Sequence, residues 1–362
     1  MKNWPTIKVA DEFNLQMGKT PARDNPAYWG GDQKWASIAD IARSGMYLFE
    51  TKEAITQEAV SESGIKAVPQ NTLVMSFKLS IGRTAITTSR MYTNEAIMAF
   101  LPHDAIAFDL HFLYHLFSNR NWSEGCNKAV KGVTLNKATL NAARIPKPCI
   151  SEQRVVASTL DKICDLISKC DEQLVRLDQL VKSRFVEMFG DDSISIGRWD
   201  DVFIATTGKL DSNVAKEDGQ YPFFTCAKTP LKIDQYAFDC EALLLAGNNA
   251  AGVYDVKYYK GKFNAYQRTY VLRLTDDRWE YAVFKAQLES KLAKLQAASK
   301  GTMTKYLTLG ILKKLDFIVP PLALQREFAA FVAKVDKLAF AARRRRDVAK
   351  QLYRAKIQEF FG

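Results

Sequence analysis

The sequence predicts a mixed α/β (α+β) chain in which two globular parts alternate with two long helices. The helices are expected to pair as an antiparallel coiled coil, giving the chain an internal pseudo-twofold. Three observations predict this: a repeat with a period near 170 residues, a 3–4 apolar spacing in the helical stretches, and short β-rich runs in both copies. Gln153-Arg154 recurs as Gln325-Arg326, and Glu187 with Phe189-Gly190 recurs as Glu359 with Phe361-Gly362, all at an offset of 172. Pro148 matches Pro320, Gln179-Leu180 match Gln351-Leu352, and Leu160-Asp161-Lys162-Ile163 echoes Val335-Asp336-Lys337-Leu338 slightly out of step. Upstream, Phe13 and Gly18-Lys19 resemble Phe203 and Gly208-Lys209. Leu73-Val74-Met75 correspond to Leu243-Leu244-Leu245, Gly82 to Gly252, Asn94 to Asn264 and Lys131-Gly132 to Lys300-Gly301. An ordered series at nearly constant offset is the mark of a duplicated unit.

Taken in order, the first globular part spans residues 1–144. Its runs Leu73–Phe77, Thr84–Thr88 and Ala96–Leu101 are rich in β-formers and separated by turn residues. A helical stretch follows near Leu110–Phe117. Residues 145–190 form the first helical segment: after Ile145-Pro146-Lys147-Pro148, Ser151 suits an N-cap and the helix can run to about Phe189. Leu160, Ile163, Ile167, Cys170, Leu174, Leu177 and Val181 give it an unbroken coiled-coil seam. Gly190 followed by Asp191-Asp192 suits its stop. The second globular part, 191–316, has its clearest strands at Leu243–Ala246 and Tyr270–Leu274 and a helical stretch near Glu280–Leu295. The second helical segment, 317–362, follows Pro320-Pro321. Its expected seam is Val335, Leu338, Ala342, Ala349 and Leu352, interrupted by Arg345. A helix of about 37 residues is about 55 Å long and must bury a narrow apolar seam somewhere. The two copies are natural partners, and antiparallel pairing would place the globular parts at opposite ends.

Composition bounds the function. The 362 residues allow two or three domains. At 47% hydrophobic and 25% charged the chain is ordinary globular material, which excludes wholesale disorder and collagen-like structure. No run of 18 apolar residues exists, so no transmembrane helix is expected. The first thirty residues carry Trp4, Asp11, Glu12 and Asp24 with no apolar signal region, so the expected compartment is the cytoplasm. Six scattered cysteines (126, 149, 164, 170, 226, 240) form no C-x-x-C pair and read as free thiols. The three histidines (103, 111, 115) are too few and too isolated for a metal cluster. The net charge of +11, with a pI of about 9.2, favours a polyanionic partner such as nucleic acid. Of that excess, +6 falls in residues 317–362, while 1–144 carry +3 and 191–316 carry +2.

The most informative strings are Gly18-Lys19-Thr20-Pro21 with Tyr28-Trp29-Gly30-Gly31-Asp32, and Ser76-Phe77-Lys78-Leu79-Ser80-Ile81-Gly82. To these add Glu152-Gln153-Arg154 with Leu160-Asp161, and Leu177-Asp178 running through Val181-Lys182-Ser183-Arg184-Phe185 to Met188-Phe189-Gly190. In the second copy the run Tyr258-Tyr259-Lys260-Gly261-Lys262-Phe263-Asn264-Ala265-Tyr266-Gln267-Arg268-Thr269-Tyr270 stands out. With these strings and this plan the chain resembles, along essentially its whole length, the specificity subunit of type I restriction–modification systems. The resemblance implies that 1–144 and 191–316 are target recognition domains, each reading half of a bipartite, asymmetric target on double-stranded DNA. It implies that 145–190 and 317–362 are helical spacers that fix the half-site separation and dock two modification (methyltransferase) subunits, which restriction (endonuclease/translocase) subunits join. The chain itself would do no chemistry, hold no cofactor or metal and touch no membrane. S-adenosylmethionine would belong to the modification subunit.

DNA reading needs cations and donors for phosphates and a few side chains for base edges. The first part offers Lys19, Thr20, Lys78, Arg83 and Arg90; the second offers Asn248, Asn249, Lys257, Tyr258, Lys260, Lys262, Gln267 and Arg268. From Tyr258 to Arg268 aromatics interleave with cations, either as a DNA-contacting segment or as a solvated strand pair. Asn94 and Asn264 read as turn residues. Arg343–Arg346 read either as a docking contact or as a solvated helix face.

Other motifs fall short. Asp24-Asn25-Pro26-Ala27-Tyr28 lacks the second proline of the amino-methyltransferase N-P-P-Y/F motif and reads as a turn. The Leu243–Gly252 stretch fits neither a dinucleotide loop nor a P-loop; it either presents Asn248 and Asn249 to DNA or simply turns. His111 and His115, at i and i+4, read as a half-buried helix face, and Glu50-x-Lys52 lacks the upstream acid of a nuclease site. Two other readings stand beside the specificity subunit: an autonomous DNA-modifying enzyme, and a coiled-coil DNA-binding scaffold without sequence preference.

Overall fold

The computed structural model describes residues 4–78, 80–104, 106–122, 128–129, 132–133, 135–190, 194–249, 252–301 and 304–362. Leu79, Cys126, Lys131, Asp191, Asp192, Ala250 and Ala251, which figure in the sequence reading, lie outside them. The chain divides into two units, Met1–Lys169 with Arg345–Gly362, and Cys170–Arg344.

In the first unit Thr6–Lys8 pairs antiparallel with Arg144–Pro146, so the globular part closes where it began, just before the long helix. A short helix, Val9–Glu12, is capped by Asp11 accepting from the Lys8 amide at 3.2 Å. Next comes a five-stranded sheet in the order Phe13–Met17, Ile97–Pro102, Leu73–Ser76, Thr84–Thr87, Tyr47–Leu48. A three-stranded sheet joins Glu53–Ile55, Trp29–Ala36 and Tyr92–Thr93. Leu73–Ser76 and Thr84–Thr87 are buried throughout, which is why Leu73-Val74-Met75 form a continuous apolar run rather than an alternating one. Helix Leu110–Asn119 lays Phe112, Leu113, Leu116 and Phe117 into the core beside Leu73, Met75 and Phe100. Val156, Ala157 and Leu160 of the first long helix and Phe360 of the second complete that core.

The second unit repeats the plan. Ile196–Arg198 pairs with Asp316–Ile318. The sheet has six strands in the order Phe203–Thr207, Thr269–Leu274, Phe238–Ala246, Val256–Ala265, Tyr221–Phe224, Leu231–Ile233. Helices Tyr281–Ser290 and Leu292–Ala298 follow, contributing Val283, Phe284, Leu288 and Leu295 to a core shared with Leu243, Leu245 and Leu272. The repeated Gln153 and Gln325 do the same job in each unit. Both are fully buried at the start of a long helix. Gln153 accepts from the Asp109 amide at 2.8 Å and donates to the Pro148 carbonyl at 2.9 Å. Gln325 accepts from the Glu280 amide at 3.0 Å and donates to the Pro320 carbonyl at 2.8 Å.

Strand register corrects one repeat match. Trp35 and Ala36 run parallel to Tyr92 and Thr93 as Phe223 and Phe224 run parallel to Asn264 and Ala265. Tyr92, not Asn94, is therefore the counterpart of Asn264. Asn94 is a turn residue whose Oδ1 accepts from the Ala96 amide at 3.1 Å. Asn264 instead lies within a strand, buried, and donates to the Gln235 carbonyl at 3.1 Å.

The long helices are Ile150–Phe189 and Leu322–Phe361, 40 residues each. The first begins before Ser151, which lies in its opening turn rather than capping it. Leu160, Ile163, Cys170 and Leu177 are buried, and Ile167, Leu174 and Val181 are partly buried, so the first seam forms as its spacing predicts. In the second unit Leu177 packs with Val335 and Ala339, and Phe185 and Phe189 meet Phe328 edge-on. In the first unit the beginning of the first helix shares its core with Phe360, Tyr353 and Ile357. The end of each helix thus meets the beginning of the other, an antiparallel pairing.

The second seam differs from the expected one. Leu338 and Leu352 are exposed at 53% and 46%. The inward row is Phe328, Val332, Val335, Ala339, Ala342, Arg346, Ala349, Tyr353 and Phe360, which keeps the 3–4 spacing. Arg345 is exposed, outside the row, and interrupts nothing. The correction has a size reason: alanines at seam positions let two helices approach closely, so the small residue turns inward while its large neighbour stays in solvent. Among the described residues Cys149, Cys164, Cys170, Cys226 and Cys240 are free thiols.

Candidate functional site

In the first unit the loop after Phe13–Met17 is clasped to several elements. Gly18 donates to the Ile97 carbonyl at 3.1 Å, and a Cβ there would lie 2.2 Å from the Thr93 carbonyl oxygen, so only glycine fits. The Lys19 ammonium donates to the Ser63 carbonyl, and the Thr20 hydroxyl donates to Glu95. Arg23 forks onto Glu53 and stacks on Trp29 at 3.8 Å and Trp35 at 4.8 Å from the ring centroids. The Thr20 hydrogen bond holds the Glu95 carboxyl below its ordinary range, and the charges of Lys78 and Arg23 act in the same sense. Lys78 and Arg83 flank the turn between Leu73–Ser76 and Thr84–Thr87. Ser76 Oγ donates to the Ser80 carbonyl at 2.6 Å there, and Ser80 takes a φ of 49°. Arg83 is exposed with no side-chain partner among the described residues. Arg90 donates to the Tyr92 hydroxyl at 3.0 Å.

The second unit divides its candidates. Tyr258 and Lys260 share Glu241 at 2.8 Å each, on the same face of strand Val256–Ala265. Burial and Glu241 together push the Tyr258 hydroxyl far above its ordinary pKa. Lys257 has 15% of its side chain exposed and pairs with Asp255 at 2.7 Å. Lys262 lies over the Tyr236 ring at 4.7 Å. The interleaved segment is thus a strand whose cations are largely matched within the unit. Gln267 and Arg268 stand apart, exposed on the turn before Thr269–Leu274. They line a cleft with Thr207, Gly247, Tyr270, Tyr306 and Leu307. Asn248–Asn249 adjoin Gly247 but form a short strand with Lys305–Tyr306 rather than an open loop. Asn248 Oδ1 is buried without a hydrogen-bond partner among the described residues.

Sequence reasoning missed Arg23, Trp29, Glu95 and Asp211, which orders Gln267 by accepting from its Nε2 at 3.3 Å. Three are acids or aromatics, overlooked in a search for cations, although a carboxylate can accept from a base amino group. Arg23 carries no local signal; only its stacking reveals it.

The other motifs resolve without chemistry. Asn25 caps a turn of 3-10 helix at Pro26–Tyr28. His111 and His115 both contact Asp161, at 2.6 and 2.8 Å, and His115 is fully buried against the Tyr353 hydroxyl at 3.1 Å. Among the described residues no group of three or more His, Cys, Asp or Glu is placed to hold a metal ion. Likewise no described helix is long and apolar enough to cross a membrane. Arg343, Arg344 and Arg345 are exposed, and Arg346 sits partly buried beside Asp347.

Two copies of one globular plan, each leading into a 40-residue helix with a coiled-coil seam, define a class of paired-module helical spacers. The model of the type I restriction modification DNA specificity domain matches residues 1–175 and again 194–348, and the chain belongs to that family. The chain is 29% identical over 194 residues to the type I restriction enzyme MjaIX specificity subunit of Methanocaldococcus jannaschii, covering 52% of this chain and 44% of that one. It is 42% identical over 115 residues to the EcoDI specificity subunit of Escherichia coli, covering 32% and 25%. These matches span less than half the length of either relative. Among solved structures, the type I restriction–modification S subunit from M. genitalium shares the fold at a TM-score of 0.64 with 14% identity, covering 99% of this chain and 96% of that one. A chain solved for complex assembly and conformational transition of a type I R-M system gives 0.57 at 15% identity, covering 100% and 98%.

Proposed function

We propose that this chain is the sequence-recognition subunit of a type I restriction–modification complex. Each globular part, 1–144 and 191–316, reads one half of a bipartite, asymmetric DNA target. The paired helical segments 145–190 and 317–362 set the half-site separation and dock two modification subunits, which restriction subunits join. The chain is not itself catalytic and binds no cofactor; methyl transfer from S-adenosylmethionine belongs to the modification subunit, and the complex works in the cytoplasm. The observation that carries this reading is the twofold match of the DNA specificity domain to the two units. The net charge of +11 and the exposed Arg83 and Arg268 support DNA as the partner. Lys19, Arg90 and Lys262, exposed in their units, and the partly exposed Lys78 fit phosphate contacts, which position without specifying, whereas Lys257 is largely buried against Asp255. Genome-wide mapping of base modification tests the proposal, in cells expressing this chain with its modification subunit and with each alone. A split motif that appears only with both is the expected result. Modification by this chain alone would refute it in favour of an autonomous enzyme. Binding without any sequence preference would favour a scaffold.

A further inference from the structure

The two units present one turn in the same place, held by the same backbone contacts, with different side chains at its tip. Ile97 donates to the Asn94 carbonyl at 3.1 Å, and Thr269 donates to the Tyr266 carbonyl at 2.8 Å, closing turns 94–97 and 266–269. Asn94 donates to the Ala36 carbonyl at 3.0 Å, and Tyr266 to the Phe224 carbonyl at 2.8 Å. The glycine loops seal both: a Cβ on Gly18 would strike the Thr93 carbonyl oxygen, and one on Gly208 would lie 1.7 Å from that of Ala265. Neither scaffold can shift without displacing backbone, so the tip residues are fixed in position.

The tips differ in chemistry. In the first unit the tip is Glu95-Ala96, in the second Gln267-Arg268. Glu95, Gln267 and Arg268 are exposed. Each longer side chain is oriented by the adjoining loop through one of its two polar ends. Thr20 donates to Oε2 of Glu95, whose own backbone amide also bonds the carboxylate, and the roughly four lone-pair sites of an exposed carboxylate leave acceptor capacity to spare. Asp211 accepts from Nε2 of Gln267, leaving Oε1 and the second N–H open. An open carboxylate oxygen is an acceptor suited to the cytosine N4 amino group. An open amide O with an open N–H matches the adenine N6/N7 edge, and a guanidinium matches guanine O6/N7.

We propose that these turn tips are the base-reading elements of the two globular parts, with Glu95 selecting cytosine in one half-site and Gln267 with Arg268 selecting adenine and guanine in the other. The inference rests on the DNA-recognition function proposed above. Thr20 and Asp211 act as positioning residues that aim the reading groups.

The test uses the full chain assembled with its modification subunits. The modification motif is mapped for wild type and for Glu95→Gln, Gln267→Glu, Arg268→Ala and Thr20→Val. Purified complexes are then competed with duplexes substituted one base pair at a time. Glu95→Gln should change one position of one half-site and leave the other half intact. Gln267→Glu and Arg268→Ala should change positions in the other half only, each with about a tenfold or greater loss of preference for the original base. Thr20→Val should blunt discrimination at the position that Glu95→Gln changes, which gives a second readout if the glutamate variant assembles poorly. Variants that keep the wild-type motif at every position would overturn the proposal. So would variants that weaken all duplexes equally, since that is the behaviour of a phosphate contact. A wild-type complex with no split motif would instead sink the functional reading on which the proposal stands.

Discussion

Replacing Gln153 by alanine should destabilise the first unit far more than an ordinary polar substitution. The side chain is fully buried and joins the Asp109 amide that opens helix Leu110–Asn119 to the Pro148 carbonyl that opens the long helix. Its truncation strands the Asp109 amide and the Pro148 carbonyl where water cannot easily replace it, and also removes a longer 3.3 Å contact to the Ala107 carbonyl. At about 1–3 kcal/mol per orphaned group these two cost about 2–6 kcal/mol, a large share of a domain's stability of about 5–15 kcal/mol. Gln325→Ala should cost a similar amount in the second unit, because it strands the Glu280 amide and the Pro320 carbonyl in the same way. Two units need not unfold together, so hydrogen exchange read segment by segment is the appropriate assay. Gln153→Ala should lose protection in residues 107–119 and 145–160 and keep it in 280–290; Gln325→Ala should do the reverse. The neighbouring Arg154, exposed, serves as the reference. A Gln153→Ala effect no larger than that of Arg154→Ala, or one spread evenly over both units, would refute the argument.

Ala339→Glu should cost more than about 2 kcal/mol by placing an unpaired charge at a position 6% exposed, whereas Leu338→Glu should stay within about 0.5 kcal/mol; thermal melts of the two variants decide which residue faces the partner helix. Gly208→Ala should prevent the second unit from folding, while Gly310→Ala, whose added Cβ would find its nearest neighbour at 3.9 Å in helix Leu309–Leu312, should be neutral or slightly stabilising by circular dichroism. Burial pushes the His115 imidazole below its ordinary pKa against the opposing pull of Asp161, so the folded state resists a proton that the unfolded chain accepts. The stability this contributes is present above about pH 6.5 and lost as the pH falls below it. Denaturant midpoints should therefore fall from pH 7 to pH 5 more steeply for the wild type than for His115→Gln, and equal slopes would count against the assignment.

The duplication was legible because the duplicated residues bear structural constraints. Gln153 and Gln325 satisfy buried backbone, and Gly18 and Gly208 lie against carbonyl oxygens, so their spacing survives while surface residues differ. The first helix was legible for a similar reason: its seam uses large residues that announce their period. The second seam was misassigned because Ala339 and Ala342 carry little hydrophobic signal, while Leu338 beside them carries much. The candidate site was the least legible. Side chains chosen for charge alone meet acids inside the unit: Lys260 meets Glu241, which only the strand pairing reveals, and Lys257 meets Asp255 two residues away. Glu95 carries no signal of its own in the sequence, because its orientation by Thr20, 75 residues away, exists only in the folded chain.

On the proposal that the turn tips read bases, the contrast between the two turns lets reading and folding vary independently in this chain. Backbone hydrogen bonds and glycine contacts determine where each tip stands, and none of them depends on the tip's own side chains. The side chains of Glu95, Gln267 and Arg268 are exposed, unlike the buried Ala96, so their replacement leaves no buried group unsatisfied and costs little stability. A base edge, by contrast, discriminates strongly among donors and acceptors. The proposal therefore predicts that Glu95→Gln or Gln267→Glu alters recognition by about an order of magnitude without cost to the core.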